Sequence, residues 1–179
     1  PGIRSRFTRN AADDRNALTC SFAYAARWPC DSDGASPEAP EDASLSRIDA
    51  ELGITEFVDA GEPRQVLRMD GPKVFKFAAE AMTTAVHEAL DRANLTLEDV
   101  ACIVPHQANE RIIKYAAKKL GRPMDLFQLS IANVGNTSAA SVPMALADAY
   151  AGGRIKRGAK VIVVAFGGGF TSGAVLFEA

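Results

Sequence analysis

A histidine and an asparagine, each placed just before a helical pattern, are the first residues of this sequence that could do chemistry. His106 follows residues 101–104, an apolar run typical of a buried strand. Open α/β sheets place their sites where strands end. The positive end of a helix disfavours imidazolium, so we expect a neutral ring that donates one hydrogen bond. A histidine that only caps the helix fits the position equally well.

Asn136 and a run of three glycines supply two further groups of uncharged donors. Asn136 follows a predicted strand and a turn, and its amide suits an oxyanion or an enolate because it donates without carrying charge. The backbone N–H groups of residues 167–169 could also receive an oxyanion. An isolated asparagine here is more often a helix cap, and a glycine run more often makes only a tight turn. Together the three segments indicate acyl or carbonyl chemistry.

The elements that must position these residues alternate between helices and strands. The predicted helices cover residues 73–94, 107–120 and 138–153, where apolar residues recur at helical spacing or small residues dominate. The predicted strands cover residues 64–69, 101–104, 126–131, 160–166 and 170–178, and the continuous apolar run KVIVVAF is typical of a central strand. This alternation, closed by a final hairpin, predicts a layered α/β domain.

Charge and composition divide the chain near residue 63. Residues 1–63 hold twelve Asp or Glu and six Arg without any Lys, whereas residues 64–179 have a net charge of +4. The Pro-, Asp- and Ser-rich residues 29–46 predict an exposed loop or a disordered link. The total charge of −2 gives no reason to expect nucleic acid binding. Apolar runs stay below the roughly 18 residues of a membrane span and the N-terminus has no signal-peptide pattern, so we expect a soluble cytoplasmic protein.

Four motifs, in order and in register, resemble those of the β-ketoacyl-acyl carrier protein synthase III family. They are MDGPKVFKFA (69–78), VPHQANERI (104–112), GNTSAASVP (135–143) and AFGGGFTSGA (165–174). The resemblance implies the C-terminal half of a thiolase-like αβαβα condensing enzyme, with residues 64–179 as its catalytic domain and residues 1–63 poorly matched. It also implies a homodimer that condenses acyl-CoA with malonyl-acyl carrier protein in fatty acid biosynthesis, without a cofactor or a metal.

Roles for individual residues follow from the same resemblance. His106 and Asn136 match the pair that polarises the malonyl thioester oxygen and stabilises the enolate. Gly168 matches the backbone donor for the acyl-enzyme oxyanion, and Phe166 the acyl side of the pocket. The pantetheine channel is matched by Gly71 and Phe75, and the segment that docks the carrier protein by Gln107, Ala108, Asn109, Glu110 and Arg111.

Basic residues give the docking role some support of their own. Arg111, Lys114 and Lys118 share one face of the predicted helix, with Lys119 and Arg122 nearby. A basic face attracts an acidic carrier protein and raises its association rate. The alternative is ordinary solvated charge, because cations are favoured near a helix C-terminus in any case.

The family's nucleophilic cysteine belongs to the preceding half of a longer chain. Cys20 is the candidate here, Cys30 lies in the polar stretch, and Cys102 is best interpreted as a buried structural thiol. Three hypotheses follow. The chain is part of an active condensing enzyme whose Cys lies on a second chain or segment; it is a truncated, non-condensing relative that binds carrier protein or CoA; or Cys20 is a working nucleophile. We favour the first, which predicts an exposed apolar face on this chain.

Overall fold

A computed structural model describes residues 2–10, 18–21 and 66–179 of the chain. These residues divide into two compact units, one from Pro1–Ala17 with Asp70–Ala179 and the other from Leu18–Met69. The strands are β1 Gly2–Asn10, β2 Leu18–Ser21, β3 Val66–Met69, β4 Val100–Pro105, β5 Lys160–Gly167 and β6 Thr171–Glu178. The α-helices are α1 Gly71–Ala93, α2 Glu110–Lys119, α3 Ile131–Val134 and α4 Ser141–Ala151. No helix in the described ranges is long and apolar enough to cross a membrane.

The larger unit is built on a four-stranded mixed sheet in the order β1-β6-β5-β4. Strands β4 and β5 are parallel, and β5 and β6 form the antiparallel hairpin expected from the sequence. Strand β1 pairs antiparallel with β6, and Gly2 lies opposite Glu178. Because β4 and β5 run in the same direction, their carboxyl ends and the β5–β6 turn share one edge of the sheet. His106 and the glycine run are therefore carried to the same edge.

Helices cover both faces of this sheet. Helices α1 and α2 pack on one face, where Met82 and Ile113 join Ile103, Phe127 and Leu176 in the main core. On the opposite face, two fully buried alanines of α4 pack against β4 and β5. This arrangement confirms the layered α/β class, and the small side chains of α4 allow its backbone to approach the strands closely.

Cys102 lies in this second core and has no solvent exposure. Burial raises the pKa of the Cys102 thiol, because the thiolate is poorly solvated there. The expected buried thiol is therefore confirmed.

Helix α1 begins and ends as its sequence indicates. The side chain of Asp70 accepts a hydrogen bond from the backbone N–H of Lys73 at 3.1 Å, and Pro72 occupies the first turn, where its missing N–H costs nothing. Asn94 closes the helix in the left-handed conformation at φ 51°. The predicted helix 73–94 is thus confirmed, with its start two residues earlier.

Residues 126–131 do not form the predicted strand. Met124–Leu126 is a 3₁₀ turn, Phe127 makes a single parallel bridge to Ile103, and residue 131 already begins α3. The reason is a side chain: the N–H groups of residues 130 and 131 donate to Gln107 Oε1 at 3.0 and 3.2 Å. These N–H groups are consequently not paired with a neighbouring strand.

The segment before residue 64 is only partly described. Strand β3 confirms the candidate strand at 64–69 and pairs antiparallel with β2. Strand β1 lies within the acidic segment 1–63 and pairs with β6 in the sheet of the larger unit. The loop or disordered link expected at 29–46 lies outside the described residues.

Candidate active site

His106 is held in place by contacts from two elements, β5 and α4. Its backbone N–H donates to the carbonyl of Val164 at 2.8 Å, which extends the β4–β5 pairing by one residue. Its ring nitrogen Nδ1 lies 2.5 Å from the Oγ of Ser141, the first residue of α4. The ring of Phe166 on β5 meets the imidazole edge-on, with 5.2 Å between ring centroids. Strand β5 and helix α4 therefore fix the ring from two sides.

Burial lowers the pKa of His106 below its usual value of 6.5, because a buried imidazolium is poorly solvated. The ring is therefore neutral at pH 7, as expected. The expected cause was different: helix α2 begins only at Glu110, where Asn109 Oδ1 caps it through the Arg111 N–H at 2.9 Å. His106 does not stand at the helix end, so desolvation and not the helix dipole keeps the ring neutral.

Gln107 anchors the segment behind His106 and is completely buried. Its Nε2 donates to the carbonyls of Pro105 and Gln128 at 2.7 and 3.1 Å, while its Oε1 accepts the two N–H bonds from residues 130 and 131. Both N–H donors and both acceptor positions of the amide are therefore used. Its side chain cannot touch a carrier protein, so the expected docking role does not hold for Gln107.

Asn136 is exposed and sits in a different setting. It follows the short helix α3 and not a strand, and Gly135 makes the turn at φ 68° and ψ −158°. Asn136 Oδ1 accepts the backbone N–H of Ser138 at 3.0 Å. Because an N–H donor fixes which amide atom is the oxygen, the NH₂ group remains to donate outward. Ser138 has φ 53°, a strained value for a residue other than glycine.

Ser141 joins these two segments and was missed in the sequence. It is fully buried, accepts the backbone N–H of Gln107 at 3.2 Å, and contacts His106 Nδ1. The motif GNTSAASVP contains three hydroxyl residues, and nothing local distinguishes the one that faces inward. A serine at a helix start next to apolar residues was the available signal.

The glycine turn lies between β5 and β6 and is shaped by Thr171. The carbonyl of Gly168 accepts the Thr171 hydroxyl at 3.0 Å, and Gly168 itself is exposed. Gly169 has φ 131°, and a Cβ there would lie 2.8 Å from Thr171 Cγ2. Only glycine fits this position, so the glycine run does form a tight turn, as one of the two interpretations predicted.

An aromatic group extends from the turn towards α1. Phe170 stacks on Phe77 with 4.2 Å between centroids, and Phe77 meets Phe166 edge-on at 6.5 Å. Through Phe166 this group reaches His106. Phe77 and Phe170 were not singled out in the sequence, although both lie inside the motifs that carry the resemblance.

Comparison with known proteins decides the family. The family model "3-oxoacyl-[acyl-carrier-protein (ACP)] synthase III C terminal" matches residues 90–179. The chain belongs to this family. The synthase III protein of Clostridium acetobutylicum is 47% identical over 112 residues, which are 63% of this chain and 34% of that protein. The corresponding protein of Ruegeria pomeroyi is 48% identical over 125 residues, 68% of this chain and 39% of the relative.

Solved structures confirm the fold of the synthase III family. The Thermus thermophilus enzyme matches 99% of this chain with a TM-score of 0.73 and 33% identity, and 46% of its own chain is covered. The Pseudomonas aeruginosa enzyme matches 98% of this chain with a TM-score of 0.71 and 27% identity, covering 44% of its chain. The matched region of the curated relatives is about a third of their length, and that of the solved structures is less than half. The C-terminal half of a thiolase-like fold is therefore confirmed.

The other positions suggested by the synthase III resemblance lie on α1 and α2. Gly71 is the first residue of α1, and Phe75 one turn later meets Tyr115 of α2 edge-on at 6.1 Å. Ala108 packs partly against the main core. Asn109, Glu110 and Arg111 are exposed, although Asn109 Oδ1 is engaged in the helix cap.

Ion pairs lower the number of unpaired basic residues on and near α2. Lys114 pairs with Glu110 at 2.8 Å, and Arg122 pairs with Glu98. In the part of the chain that the structure describes, Arg111, Lys118 and Lys119 are exposed and have no acidic partner. We call these three residues the α2 basic surface.

Cys20 lies within strand β2, where its backbone pairs with Leu67. A helix N-terminus is one of the settings that activate a thiol, and a strand does not provide it. Strand β2 belongs to the smaller unit and its side chains lie outside the described residues. Cys30 lies outside them as well.

Proposed function

We propose that this chain supplies the His/Asn half of the catalytic site of a β-ketoacyl-acyl carrier protein synthase III. The reaction is the decarboxylative Claisen condensation of acyl-CoA with malonyl-acyl carrier protein in fatty acid biosynthesis, and the enzyme is an acyltransferase. One observation carries the proposal. A neutral His106 ring is fixed at the end of β4 by Ser141 and Phe166, and the segment leading into Ser141 presents the Asn136 amide.

Two uncharged donors suit the decarboxylation step. The His106 ring and the Asn136 NH₂ group each donate a hydrogen bond to the carbonyl oxygen of the malonyl thioester. When the carboxylate leaves as CO₂, its bonding electron pair moves into the enolate, and the negative charge collects on the oxygen that both groups contact. Neither donor loses a proton, so both keep stabilising the charge as it develops.

The condensation step needs an acylated cysteine. The enolate carbon attacks the acyl thioester carbonyl, and the tetrahedral oxyanion is stabilised by backbone N–H groups of the glycine turn around Gly168. This attack forms the new carbon–carbon bond, and the cysteine thiolate leaves when the tetrahedral intermediate collapses and the carbonyl re-forms. Phe166, between the turn and His106, forms the acyl side of the pocket.

We propose that the cysteine lies on a second chain or segment, and exposed apolar residues on α4 support this. Ala145 and Ala149 face the sheet and are fully buried, whereas Met144 and Tyr150 on the outer side are 37% and 46% exposed. An apolar surface of this kind is normally covered in a soluble protein. Cys20 remains the alternative nucleophile, and the homodimer and the cytoplasmic location remain predictions.

Intact mass spectrometry of the purified protein after incubation with acetyl-CoA tests this proposal. A co-purifying polypeptide that gains one acetyl group places the cysteine on that second chain. An adduct on Cys20 supports the alternative nucleophile instead. If this chain is alone and no adduct forms, condensation by the chain alone is excluded.

Decarboxylation by the acylated assembly tests the two donors. Replacing His106 or Asn136 by Ala should lower release of CO₂ from malonyl-acyl carrier protein by about 10²- to 10³-fold, as for other oxyanion donors. Acylation of the cysteine should be unaffected, because neither side chain takes part in it. His87→Ala, on the exposed side of α1, is the control. Unchanged decarboxylation in both variants would contradict the proposal.

The α2 basic surface favours a second function, binding of an acidic carrier protein. This function requires no cysteine and would survive in a truncated, non-condensing relative. We expect Arg111→Glu to weaken carrier-protein binding in a calorimetric titration, with the difference shrinking as salt rises. Lys156→Glu, an exposed lysine outside α2, is the matched control for charge. Equal losses in the two variants would show that only net charge matters.

A further inference from the structure

The surroundings of the Ser141 hydroxyl show which atom accepts a hydrogen bond from its proton. The residue has no solvent exposure, so bulk water does not reach the hydroxyl. Its Oγ accepts the backbone N–H of Gln107 at 3.2 Å and lies 2.5 Å from His106 Nδ1. These are its hydrogen-bond partners among the described residues.

Counting donors and acceptors then fixes the bond to His106. A serine hydroxyl has one proton to donate and two lone pairs to accept with. The Gln107 N–H can only donate, so it uses a lone pair. Within the described ranges, Nδ1 is the only acceptor that the Ser141 proton can reach. A buried hydroxyl proton without an acceptor is costly, so Ser141 donates and Nδ1 accepts.

We propose that Ser141 is a positioning residue that holds His106 as the neutral tautomer with its proton on Nε2. With Nδ1 engaged as an acceptor, the ring proton must sit on Nε2, the nitrogen left to face a substrate. The opposite tautomer would present a lone pair there and could not donate to a carbonyl oxygen. Its catalytic consequence rests on the proposed function; the tautomer itself does not.

The same bond resists protonation of the ring. Imidazolium carries protons on both nitrogens, so Nδ1 would have to donate to Ser141 Oγ. The hydroxyl proton would then lose its acceptor inside the protein. Gln107 contributes by occupying the other side of the hydroxyl with its backbone N–H. Ser141 therefore acts in the same direction as burial and keeps His106 a neutral donor.

Nitrogen–proton correlation NMR of the imidazole rings in the ¹⁵N-labelled chain tests the tautomer directly. The sequence has two histidines, so His87→Gln assigns the signals. We expect His106 Nδ1 to resonate as an unprotonated acceptor and Nε2 as a protonated nitrogen. A protonated Nδ1 in the unmodified chain would overturn the inference without any variant.

Two variants at position 141 extend the test. Ser141→Ala should move both ring nitrogens towards values for a mixture of tautomers, and Ser141→Cys, of similar shape with a weaker donor, should give an intermediate shift. Ser130→Ala is the matched control, because this serine is 2% exposed and its hydroxyl has no partner in the described structure. Unchanged His106 signals in both folded variants at 141 would contradict the role of Ser141.

Activity of the cysteine-containing assembly separates this inference from the proposed function. Ser141→Ala should lower kcat for decarboxylation about fivefold to tenfold, the effect of one net hydrogen bond, with little change in KM. If the NMR result holds but the unmodified assembly does not release CO₂, the proposed function fails while the tautomer assignment stands. If CO₂ is released and Nδ1 proves protonated, the tautomer assignment fails alone.

Discussion

The two segments that carry the candidate donors are secured very differently. Residues 105–109 are tied into the core, through a saturated and buried Gln107 and through a buried Ser141. Residues 135–138 lie at the surface, and the bond that orients Asn136 comes from its own loop, two residues away. One donor is fixed by the sheet and by α4, whereas the other is fixed by a turn.

The two donors therefore depend on different kinds of interaction. The His106 side is organised by long-range bonds that form only when the whole unit is folded. The Asn136 side has a defined local conformation, made by bonds within its own loop, and remains exposed. Four changes, from the largest expected effect to the smallest, would break or sharpen this contrast.

Gln107→Ala should cause the largest loss of stability. It would leave three buried backbone groups and one part-buried group without this partner, and each buried group costs about 1–3 kcal/mol, so we expect a loss of roughly 3 kcal/mol or more. The measurement is urea unfolding followed by circular dichroism. Asn133→Ala, an exposed amide in α3, is the control and should change stability by less than about 0.5 kcal/mol. A small loss for Gln107→Ala would show that the His106 segment is not tied to the core.

Gly135→Ala should cause the next largest loss of stability, although there is free space around this position. A Cβ there would have no atom within 4 Å, so any cost must come from the backbone, which has φ 68° and ψ −158°. That region is almost restricted to glycine, and we expect a loss of about 1–3 kcal/mol in thermal unfolding. Gly71→Ala is the matched control, because Gly71 is equally open and lies in a helix, where alanine is favoured. Equal effects at both positions would refute the strained turn.

Asn136→Ala should have a small effect on stability. The side chain is exposed and loses one local hydrogen bond, so we expect a loss of about 0.5–1 kcal/mol, measured by the same unfolding experiment. A loss as large as that of Gln107→Ala would remove the distinction between the two segments.

The pH dependence of His106 gives the last test. Because burial lowers its pKa, ring NMR signals should titrate with a midpoint below 6.5. Well above pH 6.5 the ring is neutral in both folded and unfolded chains. Below it the unfolded chain takes up a proton that the folded chain resists, so the His106 contribution to stability is lost as pH falls through this range. A midpoint at or above 6.5 would show that the ring is not protected from water.

Periodicity and apolar runs predicted most of the larger unit. The run KVIVVAF became β5, and the helix predicted at 73–94 became α1, because both patterns reflect which side chains are buried. Family motifs also located His106 and the glycine turn at one edge of the sheet.

The failures have one physical cause, which is bonding between distant segments. The strand predicted at 126–131 was wrong because Gln107, more than twenty residues earlier, takes its N–H groups. Ser141 was missed because its partner His106 lies 35 residues away. No local pattern records these contacts.

The pairing of Gly2 with Glu178 has a consequence for how the chain reaches its final form. Strands β5 and β6 can form a hairpin from neighbouring residues, whereas β1 must wait for a partner at the opposite end of the sequence. Such non-local pairing slows folding, since the loop entropy is lost before the contacts are gained. During synthesis on the ribosome, β1 emerges long before β6 and has an unpaired edge throughout. The sheet is therefore completed only after β6 has emerged, and aggregation through β1 is the hazard of that interval.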